Sequence, residues 1–143
     1  MNRAELIEAF ASFPERLGGA ARAVEDHPSP PGAWGPAEVA RHLLAVEREV
    51  WESRLARLAA EDDPQWSWTE PGLAAGFDGP PIDAILDAFA SARAANVATV
   101  RAFDEAGWAR FGTHATYGRL DVEDLLRVAI DHDEEHLAAI ARR

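Results

Sequence analysis

Apolar residues recur every three or four positions in four long segments of this chain, and this spacing restricts the fold more than any other feature. The first segment covers residues 3–26, and one helix face there carries Leu6, Phe10, Phe13, Leu17, Ala20 and Val24. The other segments cover residues 36–60, 81–105 and 121–143. Neither strand-like alternation nor an internal repeat competes with this pattern. We therefore predict one all-α domain, a four-helix bundle over residues 1–143.

Particular residues mark the ends and the weak point of these helices. Pro36 suits the first turn of the second helix, where its missing N–H costs nothing. Asp121 is predicted to be the N-cap of the fourth helix. Pro14 lies inside the first segment, so we expect a kink or a break there.

Two connections separate the last three helices. The first, residues 61–80, is long and contains Trp66 and Trp68; loops of this length often carry function. The second, residues 107–120, contains His114 and is predicted to be irregular.

The composition excludes several classes of function. The chain has no cysteine, which rules out disulfide scaffolds, iron–sulfur clusters, Cys-ligated zinc and Cys nucleophiles. Its net charge of −11 repels phosphate backbones and anionic lipid, so we expect neither nucleic acid nor a membrane as a partner. No apolar run approaches the ~20 residues of a membrane span, and the N-terminus lacks a signal-peptide pattern. The predicted location is therefore the cytoplasm.

Three of the five histidines occupy core-facing positions of the predicted helices. His132 and His136 are four residues apart and share a helix face, while His42 lies between Val39 and Val46 on another helix. Buried ring nitrogens without partners cost about 1–3 kcal/mol each, and a divalent cation satisfies three of them at once. We therefore predict a mononuclear site at His42, His132 and His136. Imidazole ligands suit zinc, nickel, iron and copper.

Other interpretations of these histidines are weaker. The stretch 132–136, HDEEH, is similar to a metalloprotease helix, but Asp133 replaces the general-base Glu and no third ligand follows downstream. A di-iron site would need a Glu at Val39. The remaining alternative is an ordinary core histidine with a hydrogen-bond partner.

The other histidines receive different predictions. His27, at the end of the first helix, is predicted to contact terminal carbonyls. His114 is predicted to line the mouth of the site more than to bind metal.

Asp133 is the preferred acceptor for the second N–H of a ligand histidine, with Glu49 close in line with His42. The other acids near His132, Asp131 and Glu135, are predicted to form a solvated face. A substrate carboxylate could be held by Arg41, Arg119 or Arg127, among which the spacing does not choose.

Two motifs resemble the DinB/YfiT-like superfamily over most of the chain. Residues 34–43, WGPAEVARHL, resemble the W-S-x-x-E-x-x-x-H-L opening of its second helix, and residues 113–140 resemble its closing signature. Trp51 matches an aromatic residue often found nine positions after the first His. Gly35 departs from the pattern, where the family favours a Ser N-cap, and this weakens the cap by a few tenths of a kcal/mol.

The resemblance implies a four-helix bundle that binds one divalent metal, zinc, nickel or iron, through His42, His132 and His136, often as a homodimer. Relatives include transferases and isomerases that use bacillithiol, mycothiol or glutathione. We therefore expect a metal-dependent transferase in which a low-molecular-weight thiol, such as bacillithiol, loses its proton and attacks a small electrophilic substrate.

Three alternatives stay open. Metal-bound water could replace the thiol, which would make the protein a hydrolase. The site could instead be a non-catalytic metal-binding module that serves storage, sensing or dimer stability. Finally, the bundle could be a metal-free interaction domain that uses Trp66 and Trp68 as a contact patch.

Overall fold

Four helical rods form the body of the computed structural model, which describes residues 1–68 and 70–141. In chain order the elements are α1 (Arg3–Ala23), α2 (Pro36–Val46), a π-helical turn (Glu47–Trp51), α3 (Glu52–Ala60), β1 (Gln65–Trp66), α4 (Ile82–Ala102), α5 (Glu105–Trp108), β2 (Phe111–His114), β3 (Gly118–Asp121) and α6 (Val122–Ala141). The rods are α1, the continuous run from α2 through the π-helical turn to α3, α4, and α6. The predicted four-helix bundle is confirmed.

The two connections contribute a small sheet that the sequence did not predict. β1 pairs parallel to β2, with Trp66 opposite His114. β2 pairs antiparallel to β3, with Phe111 opposite Asp121. Strands of two to four residues are too short to show an alternating pattern. The prediction of an irregular connection over residues 107–120 was therefore wrong, and His114 lies on a strand.

The helix starts agree with the predicted end signals. α2 begins at Pro36, and Glu38 accepts a hydrogen bond from the Gly35 N–H at 3.2 Å. This carboxylate supplies a capping contact at the position where glycine replaces the usual Ser. At α6, the Asp121 carboxylate accepts from the Asp124 N–H at 2.9 Å, which confirms Asp121 as the N-cap.

α1 runs through Pro14 without the break that its sequence suggested. Because proline has no N–H, the carbonyl of Phe10, four residues earlier, loses its helical partner. Nη1 of Arg93 donates to this carbonyl at 2.8 Å. A side chain from α4 thus satisfies the acceptor that Pro14 leaves unpaired, and the helix continues.

The same arginine is the centre of a buried ionic network. Arg93 donates two 2.8 Å hydrogen bonds to the Glu47 carboxylate. It donates two more, at 3.0 and 3.1 Å, to Asp133. Asn96 also donates to Glu47, at 2.8 Å. One cation therefore serves two buried acids, and burial raises the pKa of Asp133 to about 7.

Apolar packing surrounds this network on both sides. One apolar cluster includes Leu6, Phe10, Trp51, Leu58, Val100 and Leu125. A second includes Phe13, Leu17, Leu43, Ile85, Phe89 and Ile140. The Arg93 guanidinium lies over the ring of Phe10 at 3.9 Å and near the ring of Phe89 at 5.1 Å, so it joins the two clusters. Among the described helices, none has the length and apolar character needed to cross a bilayer.

Replacing the central arginine tests this organisation. We expect Arg93→Met to lower the free energy of unfolding by about 3–5 kcal/mol near pH 8, because it leaves two buried acids without their cation. Urea denaturation of the purified variant measures the change.

Arg22→Met is the matched control. Arg22 pairs with Asp83 at 2.8 Å on the surface, where both side chains are exposed. Its loss should cost less than about 1 kcal/mol. Equal costs for the two variants would contradict a central role for Arg93.

Candidate metal centre

The structure brings together the three histidines that the sequence selected. His42 comes from α2, and His132 and His136 come from successive turns of α6. One ring nitrogen from each lies within 4.8 Å of the others. The Nε2 atoms of His132 and His136 are 3.2 Å apart, and the ring centroid of His42 lies 4.9 Å from that of His136. Imidazoles from two rods therefore meet at one point.

A loop carbonyl fixes the orientation of His42. Its Nδ1 lies 3.0 Å from the carbonyl oxygen of Gly72. Because a carbonyl can only accept, Nδ1 of His42 is the donor in this contact, which leaves Nε2 as the nitrogen available to bind a metal. In metal-binding histidines, the ring nitrogen that does not bind the metal typically donates its N–H to an acceptor such as a backbone carbonyl. Sequence reasoning missed this contact because a glycine carbonyl leaves no signal in a motif.

The electrostatic surroundings keep the other two rings neutral. Burial, together with the neighbouring His136 and His42, lowers the pKa of His132 to about 3. Burial also lowers the pKa of His136, and His42 adds to this effect. Neutral imidazoles have free lone pairs, which metal ligation requires.

The donor set fits a tetrahedral ion. Ligand nitrogens at 2.0–2.1 Å from such an ion lie roughly 3.3–3.4 Å apart. The separation of 3.2 Å between the Nε2 atoms of His132 and His136 is close to this value. The Nδ1 atom of His132 is buried, and no described residue forms a hydrogen bond with it. The three histidines can therefore hold a small divalent cation, although the second ring nitrogen of His132 is not oriented by a described acceptor.

The acid predicted to support a ligand histidine has a different role. Both oxygens of Asp133 accept from Arg93, on the side of α6 that faces α4. The expectation that Asp133 orients a histidine was therefore wrong. Glu49 is exposed, as are Asp131 and Glu135. His27 is exposed as well, at the end of the first rod, and no side-chain contact with terminal carbonyls is present there.

A cavity of about 510 Å³ opens beside His132. Its walls are Trp51, Trp68, His114, Thr116, Tyr117, Val128, Asp131, His132 and Glu135. The ring centroids of Trp51 and Trp68 lie 6.0 and 6.3 Å from that of His132. His114 thus lines the mouth of the site, as predicted, and it is not one of the three converging histidines. We call this space the first cavity.

A second cavity, of about 500 Å³, reaches the same histidines at His136. Trp34, Val39 and Ala139 contribute to its walls. The ring of Trp34 lies 5.1 Å from that of His42. The three-histidine group therefore borders two separate spaces, one at His132 and the other at His136.

The tryptophans of the long loop do not form a shared contact patch. Trp66 is only 7% exposed and belongs to the core, whereas Trp68 is 41% exposed at the first cavity. The expected Trp66/Trp68 surface was therefore wrong.

The arginines considered for a substrate carboxylate already have contacts. Arg41 donates to the Ala74 carbonyl, Arg127 lies near Glu123 and Asp124, and Arg119 covers the ring of Phe111. None of the three contributes to the walls of the first cavity.

Comparisons with known proteins agree with this architecture. A family model described as the DinB superfamily matches residues 2–140. Among solved structures, YfiT from Bacillus subtilis, described as a probable metal-dependent hydrolase with an unusual four-helix bundle topology, superposes with a TM-score of 0.81. The match covers 99% of this chain and 87% of that one, at 18% sequence identity. At this identity the likeness shows the fold. A comparison with curated proteins finds no match.

The low pKa of the buried rings predicts how the metal-free protein responds to acid. Below the ordinary histidine pKa of 6.5, unfolded chains take up protons at His132 and His136 that the folded protein does not take up. The free energy of unfolding therefore has its full value above pH 6.5. It decreases as the pH falls toward the lowered pKa, by about 1.4 kcal/mol per pH unit for each proton.

Urea titrations between about pH 6 and pH 4.5 measure this slope. His132→Gln should reduce this slope by about 1.4 kcal/mol per pH unit relative to the unchanged protein, which is the contribution of one proton. Identical slopes for the two proteins would show that His132 is protonated normally in the folded state.

Proposed function

This chain belongs to the DinB superfamily, and we propose that it is a metal-dependent enzyme whose divalent ion is held by His42, His132 and His136. The convergence of three imidazoles from two helices carries the proposal. The Gly72 carbonyl supports it, because this contact leaves Nε2 of His42 available to bind a metal. YfiT, whose fold this chain shares, is itself described as probably metal-dependent.

The protein residues position the reactants and keep the ligands neutral. A divalent ion at this site would supply Lewis acidity, which lowers the pKa of a thiol or of water. The indole rings of Trp51 and Trp68 flank His132 and supply apolar walls for a reactant in the first cavity. Burial of His132 and His136 keeps both rings unprotonated near neutral pH, so their nitrogens stay available.

The reaction that we propose is transfer to a low-molecular-weight thiol, such as bacillithiol. The two cavities support this choice, because one borders the three-histidine group at His132 and the other at His136, and each has the volume of a small-molecule site. A transfer reaction needs room for two organic reactants, whereas hydrolysis needs room for only one. Since the chain has no cysteine, the attacking sulfur has to come from a cosubstrate.

Hydrolysis is the second candidate. It is favoured by the description of YfiT as a probable hydrolase. The homodimer and the cytoplasmic location stay predictions.

Metal content is the first test. Protein purified without a His-tag should carry about one divalent ion per chain, and His42→Ala should lose most of it, since two imidazoles bind far more weakly than three. His27→Ala is the control, because His27 is exposed and lies outside the three-histidine group. Elemental analysis that gives equal metal content for the two variants would contradict the site.

The reaction class is tested on the metal-loaded protein. Disappearance of the thiol in the presence of a chlorodinitrobenzene should accelerate with enzyme and fall to the background rate in His42→Ala. Hydrolysis of an activated ester without any thiol would instead support the hydrolase. Metal binding without either activity would overturn catalysis of both kinds and leave a metal-binding module.

A further inference from the structure

Besides Nδ1 of His132, three buried N–H groups near the first cavity have no acceptor among the described residues. They belong to Nη1 of Arg54, Nε1 of Trp66 and Nε2 of His114. For His114 the protonated nitrogen follows from its contacts, because Nδ1 accepts from the backbone N–H groups of Thr116 and Tyr117 at 3.0 and 3.3 Å. The proton of the neutral ring is therefore on Nε2. Each buried donor without a partner costs about 1–3 kcal/mol.

These donors belong to one part of the fold. Trp66 and His114 are register partners on β1 and β2, so their side chains leave the sheet side by side. The Arg54 guanidinium lies 5.5 Å from the ring of Trp51 and 5.7 Å from the ring of Trp66. Arg54 and Trp66 line a smaller cavity of about 400 Å³, whereas Trp51 and His114 line the first cavity. The donors therefore lie at the wall between these two spaces.

Arg54 is unusual because it is a buried cation without a carboxylate. It is 5% exposed and makes no ion pair with any described residue. The comparably buried Arg93 has two acids as partners. Burial lowers the pKa of Arg54, whereas an ion pair would favour its charged form. The charge of Arg54 also contributes to lowering the pKa of His114, in accord with their closeness.

We propose that Arg54, Trp66 and His114 bind a carboxylate of a small-molecule reactant at the wall between the first cavity and the smaller one. The inference rests on the proposed function in taking this carboxylate to belong to a reactant. The Arg54 guanidinium lies near two indole rings, and the N–H groups of a planar guanidinium match the geometry of a carboxylate.

The local charge favours a monoanion over a phosphate. Only one cation, Arg54, belongs to the cluster, so a dianion would keep excess charge in a buried position. Acids also line the two spaces, namely Asp131 and Glu135 in the first cavity and Glu49 and Glu70 in the smaller one, which Arg57 lines as well. These acids would repel a dianion more strongly than a carboxylate.

Two-dimensional NMR of the tryptophan indole N–H groups tests the proposal on metal-free and metal-loaded protein. The peak of Trp66 is assigned from a Trp66→Phe variant. Phenylacetate should shift this peak in a saturable manner, and its neutral analogue phenylacetamide should bind about tenfold more weakly or not at all, since it lacks the charge. Equal binding of the acid and the amide would overturn the proposal without any variant.

Variants locate the contact. Arg54→Gln should weaken phenylacetate binding about tenfold or more, and Arg54→Lys should retain part of it. Arg119→Gln is the matched control, because Arg119 also stacks on an aromatic ring, at 4.2 Å from Phe111, but is exposed. Equal losses in Arg54→Gln and Arg119→Gln would overturn the assignment.

Metal analysis of the same samples separates this proposal from the proposed function. If the protein binds no metal but binds phenylacetate more tightly than phenylacetamide, the result would support the carboxylate site and contradict the proposed metal-dependent enzyme. Metal binding without preference for the acid would contradict the carboxylate site and leave the enzyme.

Discussion

The buried guanidinium of Arg93 is the contact on which the rest of the structure depends. From α4 it reaches Glu47 in the second rod, Asp133 on α6 and the Phe10 carbonyl on α1. It therefore joins all four rods through one side chain, at the junction of two apolar clusters. Burial of three charged groups is costly, and only the mutual hydrogen bonds make it tolerable. An arrangement in which any rod is rotated or shifted would leave a buried charge or the Phe10 carbonyl unpaired, so the network selects one packing of the bundle.

This selection of one packing also positions the three histidines. Asp133 follows His132 directly, so the ion pair with Arg93 sets the rotation of α6 and directs His132 and His136 toward α2. Glu47 lies five residues after His42 and begins the π-helical turn that ends at Trp51. Such turns insert an extra residue and change which side chains face inward. The same polar network thus orients the histidines and the indole wall beside them.

The sequence predicted the parts of the structure that depend on local patterns. The apolar spacing predicted the rods, Asp121 predicted a helix start, and two histidines four residues apart on an apolar face predicted the site. It assigned Asp133 wrongly because the partner, Arg93, lies 40 residues away on another helix. Contacts across the bundle and backbone acceptors such as the Gly72 carbonyl leave no periodic signal. The strands are too short to produce one.

The acidity of the chain and a preference for an anionic reactant are compatible because they act over different distances. At physiological salt, surface charges are screened beyond about 8 Å, so a net charge of −11 acts mainly on large polyanions that approach the surface. Inside the cavities, the nearest charged groups determine which ligand charge is favoured. Three neutral imidazoles would leave a divalent ion with its full charge, whereas each carboxylate ligand would remove one unit. Arg54, which pairs with no acid among the described residues and lies 5.5 Å from the ring of Trp51, would add a second positive charge, so the interior would attract small anions that the exterior only weakly repels.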